Sequence, residues 1–198
     1  RTAFTNTDFS EALFNHATAK NVTMRGNYNN AEIHSTHFEQ VDASGSIFEK
    51  SDIKFTNFIS SDFSDANFKG NEPKNLHTND VDFSGGQFQG FKPFNSEFKS
   101  TDFSNVDATG SFFKSSILHD VHLHNAEMLG ATYVDTKITM SDVSDALNPG
   151  ASMFVAAGKT VKTEVCNKEQ SQVYLDQIKS LLKEKAPKPD NCDFDASM

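Results

Sequence analysis

The sequence is poor in the features that usually mark an enzyme or a membrane protein. It has no tryptophan and only two cysteines among 198 residues. No apolar run approaches the length of a membrane-spanning helix, which needs about 20 residues. A glycine-rich phosphate loop, a metal-type spacing of cysteine and histidine, and a nucleophile motif are also missing. These absences predict a non-enzymatic protein with no cofactor, no metal and no membrane span.

What the sequence does contain is a five-residue repeat. Neither a helix nor a strand keeps one side chain in five on a common surface, so this period predicts a repeat architecture whose single unit cannot bury its own core. Pro73, Thr78 and Pro93 interrupt the apolar series. Its members are Tyr28, Ile33, Phe38, Ala43, Phe48, Ile53, Phe58, Phe63, Phe68, Phe83, Phe88, Phe98, Phe103, Ala108, Phe113, Leu118, Leu123, Met128, Tyr133, Ile138 and Val143.

A small or β-branched residue stands two positions before most members of this series, as Ala66 does before Phe68 and Thr101 before Phe103. Units such as Ala66-Asn67-Phe68-Lys69-Gly70 resemble the pentapeptide-repeat family. The resemblance covers about three quarters of the chain. It implies an all-β fold, a right-handed quadrilateral parallel β-helix with four pentapeptides in each coil and about seven coils.

Four sides of five residues should give columns that repeat every 20 residues, and two such columns are present. One contains glycines, which suit the third position of a type II turn because that position needs a positive φ. The other contains aspartates and forms a candidate acidic interaction surface, although an aspartate at this place can also satisfy backbone donors near a corner. The columns are Gly70, Gly90, Gly110 and Gly130, and Asp42, Asp62, Asp82, Asp102 and Asp142.

Two irregularities are predicted within the β-helix. The first pentapeptides, through Met24, are one step out of phase with Tyr28, which predicts a corner defect near residues 25–27. Pro73 and Pro93 occupy the same column, where the missing N–H should remove ladder bonds and make this side bow outward.

The repeat fades after Gly150, which divides the chain into a β-helix over 1–150 and a C-terminal capping segment over 151–198. Short strands are predicted at 153–157 and 160–165. The spacing of Tyr174, Ile178 and Leu181 predicts one amphipathic α-helix over about 168–185, followed by a proline-containing tail. This helix either caps the last coil, whose exposed edge would otherwise invite association, or joins two copies in a homodimer. A coil end is the other candidate dimer interface.

The two cysteines, Cys166 and Cys192, flank the predicted helix. A helix of about 18 residues spans about 27 Å. The segment after it can return along that length if it is extended, so a disulfide is feasible. The alternative is two unrelated thiols. A disulfide favours a periplasmic, lumenal or secreted protein, whereas free cysteines would place it in the cytoplasm.

One group of residues has some ligand potential, namely His119, Asp120, His122 and His124. The repeat places all four on outward positions around one corner. Solvated histidines are the ordinary interpretation of such positions, so no metal site is assigned.

The net charge is −9, which argues against direct binding of nucleic acid and favours a basic protein partner or simple solubility. The favoured function is a protein-binding or structural scaffold with an unidentified partner. The resemblance implies an alternative, because some members of the family imitate duplex DNA, bind DNA gyrase and protect against quinolones. Those members dimerise through a C-terminal helix. A second alternative is the repeat domain of a secreted bacterial effector.

Overall fold

The chain winds into parallel coils of 20 residues. The computed structural model describes residues 2–134, 136–139, 153–155, 161–164 and 193–196. Residues 20 apart pair in parallel from one coil to the next, as Ile33 does with Ile53 and Phe98 with Leu118. The predicted parallel β-helix of about 7 turns is therefore confirmed, and the described residues contain no helix.

Each coil has four sides, which we number by their inward columns. Side 1 contains Ala43, Phe63, Phe83, Phe103 and Leu123; side 2 contains Tyr28, Phe48, Phe68, Phe88, Ala108 and Met128; side 3 contains Ile33, Ile53, Pro73, Pro93, Phe113 and Tyr133; and side 4 contains Phe38, Phe58, Thr78, Phe98 and Leu118. All of these side chains are buried, including the three that interrupt the apolar series. Sides 1 and 3 lie opposite each other.

The strands are short because each side is only one pentapeptide long. Side 4 carries a nine-stranded sheet. On sides 1 and 2, each coil is connected to the next mainly by isolated bridges, such as the one from Asp62 to Asp82 on side 1. The strands are β1 (Ala3–Asp8), β2 (Leu13–Asn15), β3 (Thr18–Lys20), β4 (Thr23–Asn27), β5 (Glu32–His34), β6 (His37–Glu39), β7 (Asp52–Lys54), β8 (Asn57–Ile59), β9 (His77–Asp82), β10 (Glu97–Asp102), β11 (Phe112–Lys114), β12 (Ile117–His122), β13 (Thr132–Val134), β14 (Lys137–Thr139), β15 (Met153–Val155), β16 (Val161–Glu164) and β17 (Asp193–Ala196).

Aromatic rings stack along the axis of the β-helix. On side 2 the ring of Phe48 lies 4.5 Å from that of Tyr28 and 4.7 Å from that of Phe68, with interplanar angles of 7° and 4°. Phe88 continues the stack at 5.2 Å. The 20-residue repeat places equivalent side chains one strand spacing apart, which is the distance that stacked rings favour. The core is thus a column of rings rather than a globular interior.

The corners use left-handed backbone conformations. The last residue of nearly every pentapeptide has a φ between 45° and 71°, and most of these residues are Asn, Asp, Ser or Gly. At the corners that follow sides 1 and 2, a backbone hydrogen bond closes the turn, as from Asn71 N to Phe68 O at 3.1 Å. Residues that tolerate a positive φ therefore mark each corner in the sequence.

The predicted corner defect near the N-terminus is present. Phe4 pairs with Met24, but Thr7 pairs with Gly26, so the second coil is one residue shorter at this corner. A Cβ on Gly26 would lie 2.1 Å from the carbonyl oxygen of Thr7. The short corner therefore brings two backbone segments so close that only glycine fits at position 26.

The prolines interrupt the sheet on side 3, where the sequence predicted a local loss of ladder bonds; the outward bow of this side stays a prediction. This side has two three-stranded sheets, β2-β5-β7 and β11-β13-β15, and the two coils between them hold Pro73 and Pro93. Those coils are connected by isolated bridges at Lys74 and Phe94. The carbonyls of both prolines still accept backbone hydrogen bonds, from Phe94 N and Lys114 N.

The C-terminal segment contributes three described strands. Two of them, β15 and β16, fall within the predicted strands, and they continue sides 3 and 4. The strand β17 pairs antiparallel with β16, which the sequence did not predict. It covers the edge of β16, so that edge is not open to pairing. The predicted helix at 168–185 lies outside the described residues.

Candidate functional site: the aspartate side

Side 1 presents a column of carboxylates. Asp42, Asp62, Asp82 and Asp102 occupy equivalent outward positions and pair in register through their backbones. The aspartate side, as we call side 1, is therefore a regular series in which one carboxylate follows another at the strand spacing of about 4.8 Å. His122 takes the next position in the column. Asp142, which was predicted to continue it, lies outside the described residues.

Each of these carboxylates also has a local structural role. Its Oδ1 accepts a hydrogen bond from the backbone N–H of the serine two residues later, at distances of 3.3, 2.9, 2.8 and 2.7 Å along the column. The hydroxyls of Ser44 and Ser64 donate to the same oxygens. The aspartates thus satisfy a donor at the start of the corner, as short polar side chains do in turns.

Arg25 closes the N-terminal end of the column. Its Nε donates to Asp42 Oδ1 at 2.8 Å and its Nη2 to Asp42 Oδ2 at 2.6 Å. The hydrogen bond from Arg25 holds the pKa of Asp42 below its usual range, although partial burial opposes the shift. Asp42 is therefore neutralised by a bidentate partner. Within residues 22–125, no other arginine or lysine stands on side 1 or on its two corners.

A shallow groove runs along the corner between sides 4 and 1. It is lined by Asp62, Asp82 and Asp102 on one margin and by Asp80 and Ser100 on the other, with a volume of about 550 Å³. The Ser100 hydroxyl donates to Asp120 Oδ2 at 2.9 Å, from one coil to the next along this corner. The charges of Asp80 in the groove and of Asp120 beyond it add to that of the column, which makes this corner strongly acidic.

The glycine column lies on the corner between sides 2 and 3. Gly70, Gly90, Gly110 and Gly130 have φ values of 69°, 66°, 66° and 71°. A Cβ on Gly70, Gly90 or Gly110 would meet nothing within 4 Å. These glycines are therefore suited to their backbone conformation and not to a close contact.

The histidine cluster is divided between two sides. His119 lies on side 4, whereas His122 and His124 flank the inward Leu123 on side 1, and Asp120 is at the corner between them. Within the part of the chain that the structure describes, no group of three or more His, Cys, Asp or Glu residues could hold a metal ion. Cys166 and Cys192, the predicted disulfide, lie outside those residues.

Side 3 has a feature that the sequence reasoning missed. Phe55 and Phe94 point outward and are 60% and 43% exposed. The repeat itself predicts that both phenylalanines are outward, because the equivalent positions are outward in all the other coils.

The profile of the family described as pentapeptide repeats matches the chain in eight copies, over residues 31–70 and 96–132. The chain is a pentapeptide-repeat protein. The matched segments lie before Pro73 and after Pro93. The resemblance seen in the sequence is therefore confirmed.

Among solved structures, this pentapeptide-repeat protein is similar to two trypsin-treated forms of QnrB1, a plasmid-mediated fluoroquinolone resistance protein. One has a TM-score of 0.66 and 15% identity, covering 89% of this chain and 85% of that chain. The other has a TM-score of 0.60 and 16% identity, covering 94% and 95%. At this level of identity the similarity shows a common fold.

No curated protein matches the sequence significantly. Among the described residues, no helix is long and apolar enough to cross a membrane.

Proposed function

We propose that this pentapeptide-repeat protein is a non-enzymatic scaffold whose aspartate side binds a basic partner protein. The observation that supports the proposal is the choice of aspartate over asparagine. At the equivalent position of side 2, Asn67 Oδ1 accepts a hydrogen bond from Lys69 N at 2.9 Å, as Asp62 does from Ser64 N. A neutral amide therefore accepts the hydrogen bond of the backbone N–H at the corner equally well. The repeated negative charge of side 1 is not needed for this bond and is available for binding.

The carboxylates retain an oxygen for such a partner. In the described structure, the hydrogen bonds of Asp62, Asp82 and Asp102 use Oδ1, which leaves Oδ2 without a protein donor. A row of outward oxygens on a flat side gives electrostatic complementarity to lysine and arginine, which favours specificity and rapid association.

The test replaces Asp62, Asp82 and Asp102 by asparagine, which keeps the corner acceptors and removes three charges. A photo-crosslinking residue at Ser84, the outward position next to Asp82 on side 1, reports contacts of the aspartate side in cells of the native source. We expect crosslinks to a basic protein, and we expect the triple variant to lose most of them.

The matched control removes three carboxylates from side 2, by changing Glu49 to Gln, Asp107 to Asn and Glu127 to Gln. This variant has the same net charge as the first and should retain the crosslinks. Equal crosslinking by both variants would show that the aspartate column does not form the binding surface.

A second candidate is the imitation of duplex DNA, with DNA gyrase as the target. The fold shared with QnrB1 favours this candidate, because QnrB1 is a fluoroquinolone resistance protein. The charge density is less favourable. The column supplies one charge per coil, about every 4.8 Å, whereas the duplex carries one about every 1.7 Å. Inhibition of gyrase supercoiling by the wild-type protein, and its loss in the triple asparagine variant, would support the imitation of DNA over a general scaffold.

The location of the protein follows from the state of its cysteines. We propose an oxidising compartment and a disulfide between Cys166 and Cys192, because both cysteines lie outside the repeat and flank one predicted helix. Alkylation of the native protein at lysis, followed by intact mass before and after reduction, should show two blocked thiols. Two free thiols would instead place the protein in the cytoplasm and make the gyrase assay the next step.

A further inference from the structure

One corner of the β-helix contains a residue that its backbone conformation disfavours. Phe55 has a φ of 52°, in the left-handed region, where a bulky side chain is an outlier. The other non-glycine residues described with a positive φ are Asn, Asp, Ser, Gln, Glu, Lys or His, so Phe55 is the one apolar residue among them. Its side chain is 60% exposed and thus gains little from burial. Strain with no packing benefit points to a role outside the fold.

Phe55 lies at the edge of side 3, one residue beyond the outward column that contains Lys54, Lys74, Phe94 and Lys114. Phe55, Lys74, Phe94 and Lys114 come from four successive coils, and we name them the aromatic–lysine stripe. Backbone contacts connect each to the next: Phe55 N donates to Lys74 O at 2.9 Å, and bridges join Lys74 to Phe94 and Phe94 to Lys114. The Nζ of Lys114 lies 5.8 Å from the centre of the Phe94 ring.

The lysines of the stripe are available to a ligand. On side 3 the described ion pairs join Lys54 and His34 to Asp52, and Lys92 to Glu72. Lys74 and Lys114 take part in none of the described ion pairs, and both are exposed. Glu72, the carboxylate nearest to Lys74 along the chain, is paired with Lys92. In a chain with a net charge of −9, the stripe therefore presents two lysines that no described carboxylate neutralises. Its charge fits an acidic ligand.

The spacing of the stripe selects the conformation of that ligand. Phe55 and Phe94 are two coils apart, which is about 9.6 Å along the axis, and they are offset by one residue across side 3. Lys74 lies in the coil between them, and Lys114 lies in the coil beyond Phe94. A polyproline II helix repeats every three residues, or about 9.3 Å, and aromatic surfaces are common docking sites for it. Successive turns of such a helix can therefore place one proline on each phenylalanine.

We propose that the aromatic–lysine stripe binds an acidic polypeptide segment in the polyproline II conformation. Prolines pack on Phe55 and Phe94, and carboxylates between them pair with Lys74 and Lys114. The stripe lies opposite the aspartate side, so the two surfaces can be occupied at the same time. This site is independent of the proposed function, which concerns a basic partner.

The test measures fluorescence anisotropy of labelled peptides with the full chain. The probe is a peptide of four Pro-Glu-Pro repeats. A peptide of four Pro-Lys-Pro repeats reverses the charge, and one of four Gly-Glu-Gly repeats keeps the charge without the preformed helix. We expect the acidic proline peptide to bind, the basic one not to bind, and the glycine peptide to bind at least about fivefold more weakly because it must be ordered.

Variants then locate the site. Phe55→Ser introduces the residue that other coils have at this corner and should weaken binding about tenfold, while the melting temperature stays the same or rises because the strain is removed. Lys74→Gln should weaken binding and reduce its dependence on salt. Leu129→Ser, which removes a 50% exposed apolar side chain from side 2, should leave binding unchanged.

Three results would overturn the proposal. One is the absence of any binding of the acidic proline peptide at millimolar concentration. Another is an equal loss of binding in Phe55→Ser and Leu129→Ser, which would indicate non-specific adhesion. The third is tighter binding of an oligothymidine of matched length, which would make the stripe a stacking surface for single-stranded nucleic acid.

Discussion

At the scale of single residues, a fold can require glycine for a positive φ or for a close approach of two backbone segments, and Gly90 and Gly26 are one example of each. Gly90 has a φ of 66° and open space around its missing Cβ, whereas a Cβ on Gly26 would lie 2.1 Å from the Thr7 carbonyl oxygen. We expect Gly90→Ala to lower the free energy of unfolding by about 1 kcal/mol through strain alone. Gly26→Ala should cost more, about 2–3 kcal/mol, because two backbone segments must separate. Chemical denaturation followed by circular dichroism measures both, and equal losses would contradict this assignment.

Tyr28 provides a second test at this scale, because its ionisation is coupled to folding. The side chain is 1% exposed and its hydroxyl donates to the Met24 carbonyl at 2.6 Å. Burial raises the pKa of this phenol. The folded chain keeps Tyr28 protonated while the unfolded chain ionises it near pH 10, so its contribution is complete below pH 10 and is lost above it. We expect the stability of the wild type to fall more steeply above pH 10 than that of Tyr28→Phe. Parallel pH profiles for the two proteins would exclude this coupling.

At the scale of the elements, the corners depend on hydrogen-bond acceptors more than on charge. Asp82 is exposed, and its Oδ1 accepts from Ser84 N at 2.8 Å. Asp82→Asn keeps this acceptor and should leave stability within about 0.5 kcal/mol of the wild type, whereas Asp82→Ala should lose about 1 kcal/mol. Thermal melting of the three proteins decides the matter. A large loss in Asp82→Asn would mean that the charge itself stabilises the corner, and would weaken its assignment to binding.

The sides and their inward columns could be predicted from the sequence because each depends on a strict local period. Pro73 and Thr78 break the apolar pattern, yet they occupy inward positions, since the backbone of a β-helix places every fifth side chain inside whatever its type. The corner defect could also be predicted, because the five-residue spacing of the apolar positions is one residue short between Met24 and Tyr28. In these cases chain geometry decides the outcome.

Other elements depend on contacts between coils, which a single period does not encode. Phe91 occupies a position that holds a small residue in other coils, and its ring lies 5.1 Å from that of Phe88 and 6.2 Å from that of Phe113. It thus lies beside Phe88, the last ring in the stack on side 2. The pairing of β17 with β16 joins segments about 30 residues apart in sequence with no shared repeat. The exposed phenylalanines of side 3 were missed for a similar reason, because their meaning depends on neighbours in adjacent coils.

At the scale of the whole molecule, the β-helix is nearly one-dimensional, since each coil contacts only the coils before and after it. A ring in the middle of the column therefore supports two interfaces, and one at the end supports a single interface. Phe68 lies in ring contact with Phe48, Phe63, Phe83, Phe88 and Phe91. Phe4 belongs to the first coil, is 42% exposed and contacts the ring of Phe9.

These positions lead to a prediction about cooperativity as well as stability. Phe68→Ala should lower the free energy of unfolding by about 3–5 kcal/mol, and it should divide the transition into two steps because the coupling between the two halves is weakened. Phe4→Ala should cost less and leave one transition, since only the terminal coil is affected. Differential scanning calorimetry, with comparison of calorimetric and van't Hoff enthalpies, distinguishes these outcomes. A single transition in Phe68→Ala with matching enthalpies would show that the coils unfold as one unit, so that the stacked rings contribute to a common core rather than to separate interfaces.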